Sequence, residues 1–478
     1  MGVMVLADHT GDPLTDTHND DTRKGMNDLK RQPQRPSWRE YQRGLKRPVK
    51  RAPRRRLVLA LAALSVVLLC VYMGWPATGA TNVAPTTAII ERPSDATPSI
   101  GKKDVQLLLS RVTPNDLLAE QVELPFREQR FTVETSLDET LQERLIQALD
   151  RKNSRYIGVV VMEPDSGRIL AMAGFDKADP QANPCLRSTF PAASLFKIVT
   201  AAAAVDQCGY SSNTTVRFNG YKHTLYKSQL KETRNRYTHA VSFGASFAES
   251  INPVFGKLGQ LHLGKRALEE YALGFGFNQD LDFELHVPPS HLAVRDTPYH
   301  WAEIASGFNN ETTISPIHGA VMTACILNEG RMVSPIFVER IMDPEGREIY
   351  AAHASWEQRA MTTRASTVLK AMMEKTVQSG TARKTFRGSQ RDPILSRLRM
   401  GGKTGSISNR AHDQRFDWFV GFAQDKNGPG KLVVASLVAH EAYIGVRAGT
   451  YARMAFSHYF KGHWAQQNDA TARSKANG

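Results

Sequence analysis

Cysteine is scarce in this sequence: Cys70, Cys185, Cys208 and Cys325 are the four among 478 residues. No spacing of cysteine and histidine matches a zinc site, so no metal is expected, and no motif implies an organic cofactor. Dense basic clusters are missing from most of the chain. The formal net charge is +14, but residues 1–56 carry 14 Lys/Arg against 7 Asp/Glu, so half of the excess sits there. The rest is diluted over the remaining residues, which argues against nucleic acid as a partner. No internal repeat is visible. The shares of hydrophobic (41%) and charged (23%) residues are those of an ordinary globular protein and exclude a mainly disordered chain.

Long uncharged runs are rare, and the exception is Leu57 to Trp75. At ~1.5 Å per residue this run spans ~28 Å, close to the hydrocarbon thickness of a bilayer. Arg43 to Arg56 carries eight basic residues and no acid, and Tyr72 and Trp75 sit at the far end of the run. The positive-inside rule then predicts a cytoplasmic basic tail (1–56), a single-pass anchor (57–75) and an extracytoplasmic remainder. The length of the tail argues against a cleaved signal peptide. Residues 76–130 read as a linker and short pedestal, with a short helix within Asp104–Leu118. Outside the membrane, Cys185 and Cys208 have the option of pairing; small buried thiols are the other reading.

A globular pattern runs over residues 131–462, and 463–478 reads as a tail, loose from Gln466. Leu137–Leu149 has helical spacing, while Tyr156–Met162 and Arg168–Ala173 read as strands of a hairpin joined by Glu163-Pro164-Asp165-Ser166-Gly167. Residues 194–380 are mainly helical by periodicity. Three strand-like runs follow (Leu398–Thr404, Phe416–Ala423, Lys431–Ala439), then a last helix near Thr450–Phe460. Two strands early and three late predict an α/β (α+β) fold, one five-stranded sheet with a helical subdomain inserted.

Ser194-Leu195-Phe196-Lys197 opens the apolar run Ile198–Val205. Residues three apart share a helix face, so the Lys197 amine reaches the Ser194 hydroxyl. A serine becomes nucleophilic when an adjacent neutral base takes its proton. The same Ser-x-x-Lys spacing occurs at Ser99/Lys102 and Ser228/Lys231, but neither pair opens an apolar helix. Ser250-Ile251-Asn252 follows 250 − 194 = 56 residues on, and Lys403-Thr404-Gly405 lies 403 − 250 = 153 residues further. Ser211/Asn213 repeats the Ser-x-Asn spacing within a turn-like stretch; Lys-Thr-Gly occurs once.

Ser-x-x-Lys, Ser-x-Asn and Lys-Thr-Gly in this order form the active-site set of the penicillin-binding protein and serine β-lactamase superfamily. The chain resembles the transpeptidase domain of monofunctional high-molecular-weight penicillin-binding proteins. The likeness extends through Val159–Met172, Ser306-Gly307, Ile314-Ser315-Pro316, Ser379-Gly380-Thr381-Ala382 and Asp417–Phe422. It implies a five-stranded antiparallel sheet flanked by helices. It also implies a peptidoglycan D,D-transpeptidase of the bacterial cytoplasmic membrane that is inhibited by β-lactams. Ser194 would be the nucleophile, Lys197 the base and Ser250 a proton relay. Asn252, Lys403, Thr404, Gly405 and Ser406 would bind a stem peptide ending in D-Ala-D-Ala, and the backbone N–H groups of Ser194 and Ser406 would hold the oxyanion. Gly405 would keep its strand open to a substrate strand.

Departures from the family pattern are a pedestal of about fifty residues, shorter than in most monofunctional relatives, and the lack of a preceding glycosyltransferase domain. The implied partner is therefore a separate glycosyltransferase or division and elongation proteins. The flanks of Ser194 also resemble class D β-lactamases and related sensors, but Asn252 favours the transpeptidase. D,D-carboxypeptidase, β-lactam sensor and inactive division scaffold are the alternatives. His300/Glu303, His412/Asp413 and Ser246 read as structural or solvated residues.

Overall fold

The computed structural model describes residues 100–126 and 129–476. The expected tail, anchor, Cys70 and nearly all of the linker lie outside the described residues. The chain enters through α1 (Lys102–Leu109), β1 (Gln121–Phe126), β2 (Gln129–Thr135) and α2 (Glu139–Ala148). Asp138 caps α2, its carboxylate accepting from Leu141 N at 3.0 Å. Then come β3 (Ser154–Met162) and β4 (Ile169–Asp176), the expected hairpin.

The middle of the chain runs through β5 (Phe190–Pro191), α3 (Lys197–Cys208), β6 (Thr215–Asn219), β7 (Thr238–Ser242), α4 (Phe243–Ala248) and α5 (Asn252–Lys257). After these come α6 (Gly264–Gly274), α7 (Pro298–Ser306), β8 (Thr313–Ile314) and α8 (Pro316–Leu327). Four short strands follow: β9 (Arg331–Val333), β10 (Val338–Met342), β11 (Glu348–Ala351) and β12 (Trp356–Arg359). The chain closes with α9 (Thr363–Gln378), β13 (Leu398–Ser408), β14 (Arg415–Asp425), β15 (Lys431–His440) and α10 (Ala448–Ala476).

The central sheet has the order β13-β14-β15-β3-β4, antiparallel throughout. Side chains alternate across a strand, and here both faces are covered. On β3, Val160 and Met162 enter one core, while Ile157, Val159 and Val161 enter the other. This double burial explains why β3 and β15 read as continuous apolar runs. Against the first face lies α8, whose residues Pro316 to Ile326 are all buried. Against the second lie α2 and α10.

Two expectations are corrected and two are refined. The segment expected as a short pedestal packs onto the rest of the fold: Val105, Leu109, Leu117 and Leu124 join the same core as Phe196, and β1 pairs with β2. These few apolar residues are hidden in a polar stretch, so composition alone does not reveal them. The tail is not loose from Gln466: α10 runs to Ala476, with buried Trp464 donating to Asp425 Oδ2 at 2.7 Å. Gly462 interrupts the apolar pattern but not the helix. The middle segment also holds strand pairs, β5 with β8, β6 with β7 and β9 with β12, while β10 and β11 extend the β1-β2 sheet. These strands are two to five residues long, and β5 with β8 and β2 with β10 pair across more than a hundred residues, which hides them from local periodicity. Finally, Cys185, Cys208 and Cys325 are free thiols; Cys185 is buried, its Sγ 3.5 Å from Ala173 O.

Candidate active site

Three local structures meet at one point. Ser194 lies in a 3-10 turn, Ala193–Phe196, that runs directly into α3. Ser250 occupies the break between α4 and α5 with φ 56°, and Asn252 begins α5. Lys403 and Thr404 lie on β13, which ends the sheet order, so no described strand pairs with its outer edge.

The Lys197 amine reaches Ser194 Oγ (2.7 Å), Asn252 Oδ1 (2.7 Å) and Ser306 O (2.6 Å). Both carbonyl oxygens can only accept. Asn252 Nδ2 donates to His223 O at 3.1 Å, which fixes the orientation of that amide. A neutral Lys197 therefore donates its two N–H groups to Asn252 and Ser306 and turns its lone pair to the Ser194 hydroxyl. Burial pushes the Lys197 pKa well below its ordinary value, and the charge of Lys403 lowers it further. Burial is thus the larger cause, ahead of the like-charge repulsion that the sequence suggests.

On the other side of Ser194, Ser250 Oγ lies 3.0 Å from Ser194 Oγ, and Lys403 Nζ lies 3.0 Å from Ser250 Oγ. Lys403 also donates to Thr404 O at 2.9 Å. It is fully buried, with Nζ 5.5 Å from the centre of the Phe247 ring, and burial lowers its pKa to about 7. One hydrogen-bonded run, Lys403–Ser250–Ser194–Lys197, thus joins residues from these three local structures.

The remaining expected residues fall around this run. Thr404 Oγ1 shares a 2.6 Å hydrogen bond with Thr381 Oγ1. Ser406 Oγ lies 3.3 Å from Asp417 Oδ1. A Cβ added at Gly405 would lie 3.4 Å from Ala193 Cβ and 3.5 Å from Ser194 N. A side chain at Gly405 would therefore press on Trp418, whose Cβ lies 3.3 Å away, and touch the turn that carries Ser194. Asn252 likewise faces inward, leaving one amide N–H uncommitted.

Several contributors escape a reading of motifs. Ser306 enters through its backbone carbonyl. Gly307, at φ 65°, passes so close that a Cβ would lie 1.8 Å from Ala193 O. His223 also enters through its carbonyl. Trp418 donates to Pro191 O at 2.9 Å, securing the approach to Ser194. Family-like patterns surround Ser306-Gly307, Thr381 and Trp418 in sequence, whereas nothing marks His223.

The rejected pairs stay apart from the run. Lys102 binds Asp282 and Lys231 is exposed, as is His412. His300 Nδ1 accepts from Arg295 N at 3.0 Å, and buried Ser246 donates to Phe243 O. A cavity of about 310 Å³ lined by Tyr156, Arg187, Phe190, Arg410 and Phe416 contains none of the expected site residues.

Residues 157–457 match the family described as the penicillin binding protein transpeptidase domain. Stage V sporulation protein D of Bacillus subtilis is 25% identical over 319 residues, covering 62% of this chain and 47% of that protein. Peptidoglycan D,D-transpeptidase PbpA of Mycolicibacterium smegmatis is 25% identical over 322 residues, covering 59% and 61%. The chain thus spans about half to three-fifths of the length of these relatives. Among solved structures, the D,D-transpeptidase domain of a peptidoglycan glycosyltransferase from Eggerthella lenta has a TM-score of 0.57 at 22% identity. That match covers 69% of this chain and 83% of the other. The ceftriaxone acyl-enzyme of penicillin-binding protein A from M. tuberculosis has a TM-score of 0.53 at 22% identity, covering 64% and 74%. These structures share the fold, a five-stranded antiparallel sheet with flanking helices.

Proposed function

Since the chain belongs to the penicillin-binding protein transpeptidase family, we propose that it is a serine D,D-transpeptidase cross-linking peptidoglycan stem peptides and inhibited by β-lactams. The observation that carries this reading is the run Lys403–Ser250–Ser194–Lys197. Ser194 Oγ attacks the carbonyl of the penultimate D-alanine while its proton passes to Lys197. The proton taken by Lys197 is then returned through Ser250 to the departing amine of the terminal D-alanine, which leaves Lys197 neutral again and an ester on Ser194. An acceptor amine then attacks that ester, loses its proton to Lys197, and forms the new amide as Ser194 regains its hydrogen.

The donor peptide adds along the free edge of β13, where main-chain groups await a partner. Lys403 and Thr404 hold its terminal carboxylate, and the remaining Asn252 N–H meets a stem amide. Gly405 lets the nucleophile's turn approach β13. The N–H groups of Ser194 and Ser406 face the developing oxyanion. Leu57–Trp75 anchors the chain in the bacterial cytoplasmic membrane, with the catalytic part outside. The strands to be joined come from a separate glycosyltransferase working with division or elongation proteins.

Labelling with a fluorescent penicillin tests the acyl-enzyme. The wild type is expected to carry a covalent label that Ser194→Ala loses; a folded wild type without label overturns the reading. Stem-peptide dimers then identify transfer, whereas D-alanine release without dimers identifies carboxypeptidase activity.

A further inference from the structure

Between β6 and β7 the chain makes a long excursion, residues 220–237, closed at its neck by the Asn219–Thr238 register pair. Its first residues border the reaction centre, since Lys222 O accepts from Asn252 N at 2.7 Å and His223 O from Asn252 Nδ2. The excursion is built rather than slack. Gln229, buried, donates to Asn219 O (2.8 Å) and Tyr221 O (3.1 Å) and accepts from Tyr226 N (2.9 Å).

Its outer surface has an unusual composition. Tyr221 is 80% exposed, Tyr237 59% and Tyr226 50%. Lys227, Lys231, Arg234 and Arg236 are exposed beside them. Glu232, the one acid of the segment, pairs with the buried Lys257 of α5 at 3.3 Å. No acid of the segment is therefore left to neutralise these four cations. Arg236 already lies over the Tyr237 ring at 4.8 Å, which holds its charge next to an aromatic face. Three large rings thus stand exposed within one segment of eighteen residues.

We propose that residues 220–237 form a docking lip for an anionic glycopeptide polymer. Sugar rings pack their C–H faces on the tyrosines, and carboxylates of the polymer pair with the lysines and arginines. This rests on the transpeptidase reading and deepens it, because the lip adjoins the reacting residues. A polymer held there presents its peptides to Ser194 without contributing to the chemistry.

The test uses the full chain and co-sedimentation with purified, insoluble peptidoglycan. Replacing Lys227, Lys231, Arg234 and Arg236 together by serine is expected to weaken binding about tenfold, the sum of four modest exposed charge contacts. Wild-type binding is expected to weaken with added salt. A variant exchanging Lys for Arg and Arg for Lys at these positions keeps binding, which separates charge from folding. Penicillin labelling of Ser194 stays within twofold in both variants (roughly, for substitutions outside the reacting run).

Unchanged sedimentation of the serine variant overturns the proposal. So does binding to phosphatidylglycerol vesicles or to single-stranded nucleic acid that the serine variant weakens as much as it weakens binding to peptidoglycan. Loss of penicillin labelling in the wild type would instead strike the transpeptidase reading and leave the sedimentation result legible.

Discussion

Lys197 and Lys403 stand at opposite ends of one hydrogen-bonded run, and neither is exposed to solvent. Their surroundings differ in kind. Lys197 is held by groups from three separate parts of the chain, two of them obligate acceptors. Lys403 meets one hydroxyl and the carbonyl of its own neighbour. The first arrangement suits an amine that must stay neutral with its lone pair aimed. The second suits one that keeps a donor free for an incoming carboxylate. Each end also depends on a glycine: Gly307 lets the segment bearing Ser306 O close on Ala193, and Gly405 lets β13 close on Ser194.

The contrast can be broken at its Lys197 end most severely. Gly307→Ala is expected to slow penicillin acylation about a thousandfold or more and to destabilise the fold by ~1–3 kcal/mol. The added methyl has no room beside a backbone carbonyl, and φ 65° disfavours alanine. Stopped-flow acylation and thermal unfolding measure both effects. A fully active variant would show that the close approach is dispensable.

Asn252→Asp places a carboxylate against Lys197 and raises the pKa of the amine. Acylation near neutrality is expected to fall about a hundredfold and to recover partly as pH rises, whereas Asn252→Ala shows no such recovery. A flat pH response for the aspartate variant would count against a neutral Lys197.

At the Lys403 end the expected effects are smaller. Lys403→Met removes a nearby cation, so the acid limb of the acylation profile moves to higher pH. Stability gives an independent readout. The Lys403 pKa falls from the ordinary 10.5 to about 7 in the folded protein. Between those values the unfolded chain binds more protons, so the cost of burying the Lys403 charge is full below about 7 and fades as pH rises toward 10.5. Unfolding midpoints of wild type and Lys403→Met, compared across that window, should converge toward its upper end if the sign is right. Gly405→Ala is the mildest change, about a few-fold on acylation, because its methyl meets neighbours at 3.3–3.5 Å.

Much of this was legible in the linear chain. The continuous apolar runs of β3 and β15 and the alternation of early and late strands mark the sheet, since a strand buried on both faces has no polar positions. Ser194, Lys197, Ser250, Asn252, Lys403 and Thr404 are visible because the motifs that mark them are written in side-chain types at fixed spacing. The core contribution of Val105 and Leu109 was not visible, because about two turns of helix bury only one narrow stripe. The extension of α10 past Gly462 depends on Trp464 finding Asp425, a contact 39 residues away.

By itself, then, the sequence determined which groups were available for acyl transfer and which segments would make the sheet that holds them. The tertiary structure decided the direction of each hydrogen bond, the role of the Ser306 and His223 carbonyls, and the inward turn of Asn252. The physical reason lies in what each level encodes. Side-chain chemistry is written residue by residue, whereas a backbone carbonyl is the same at every position and acquires a role only when folding brings it to an amine 109 residues away.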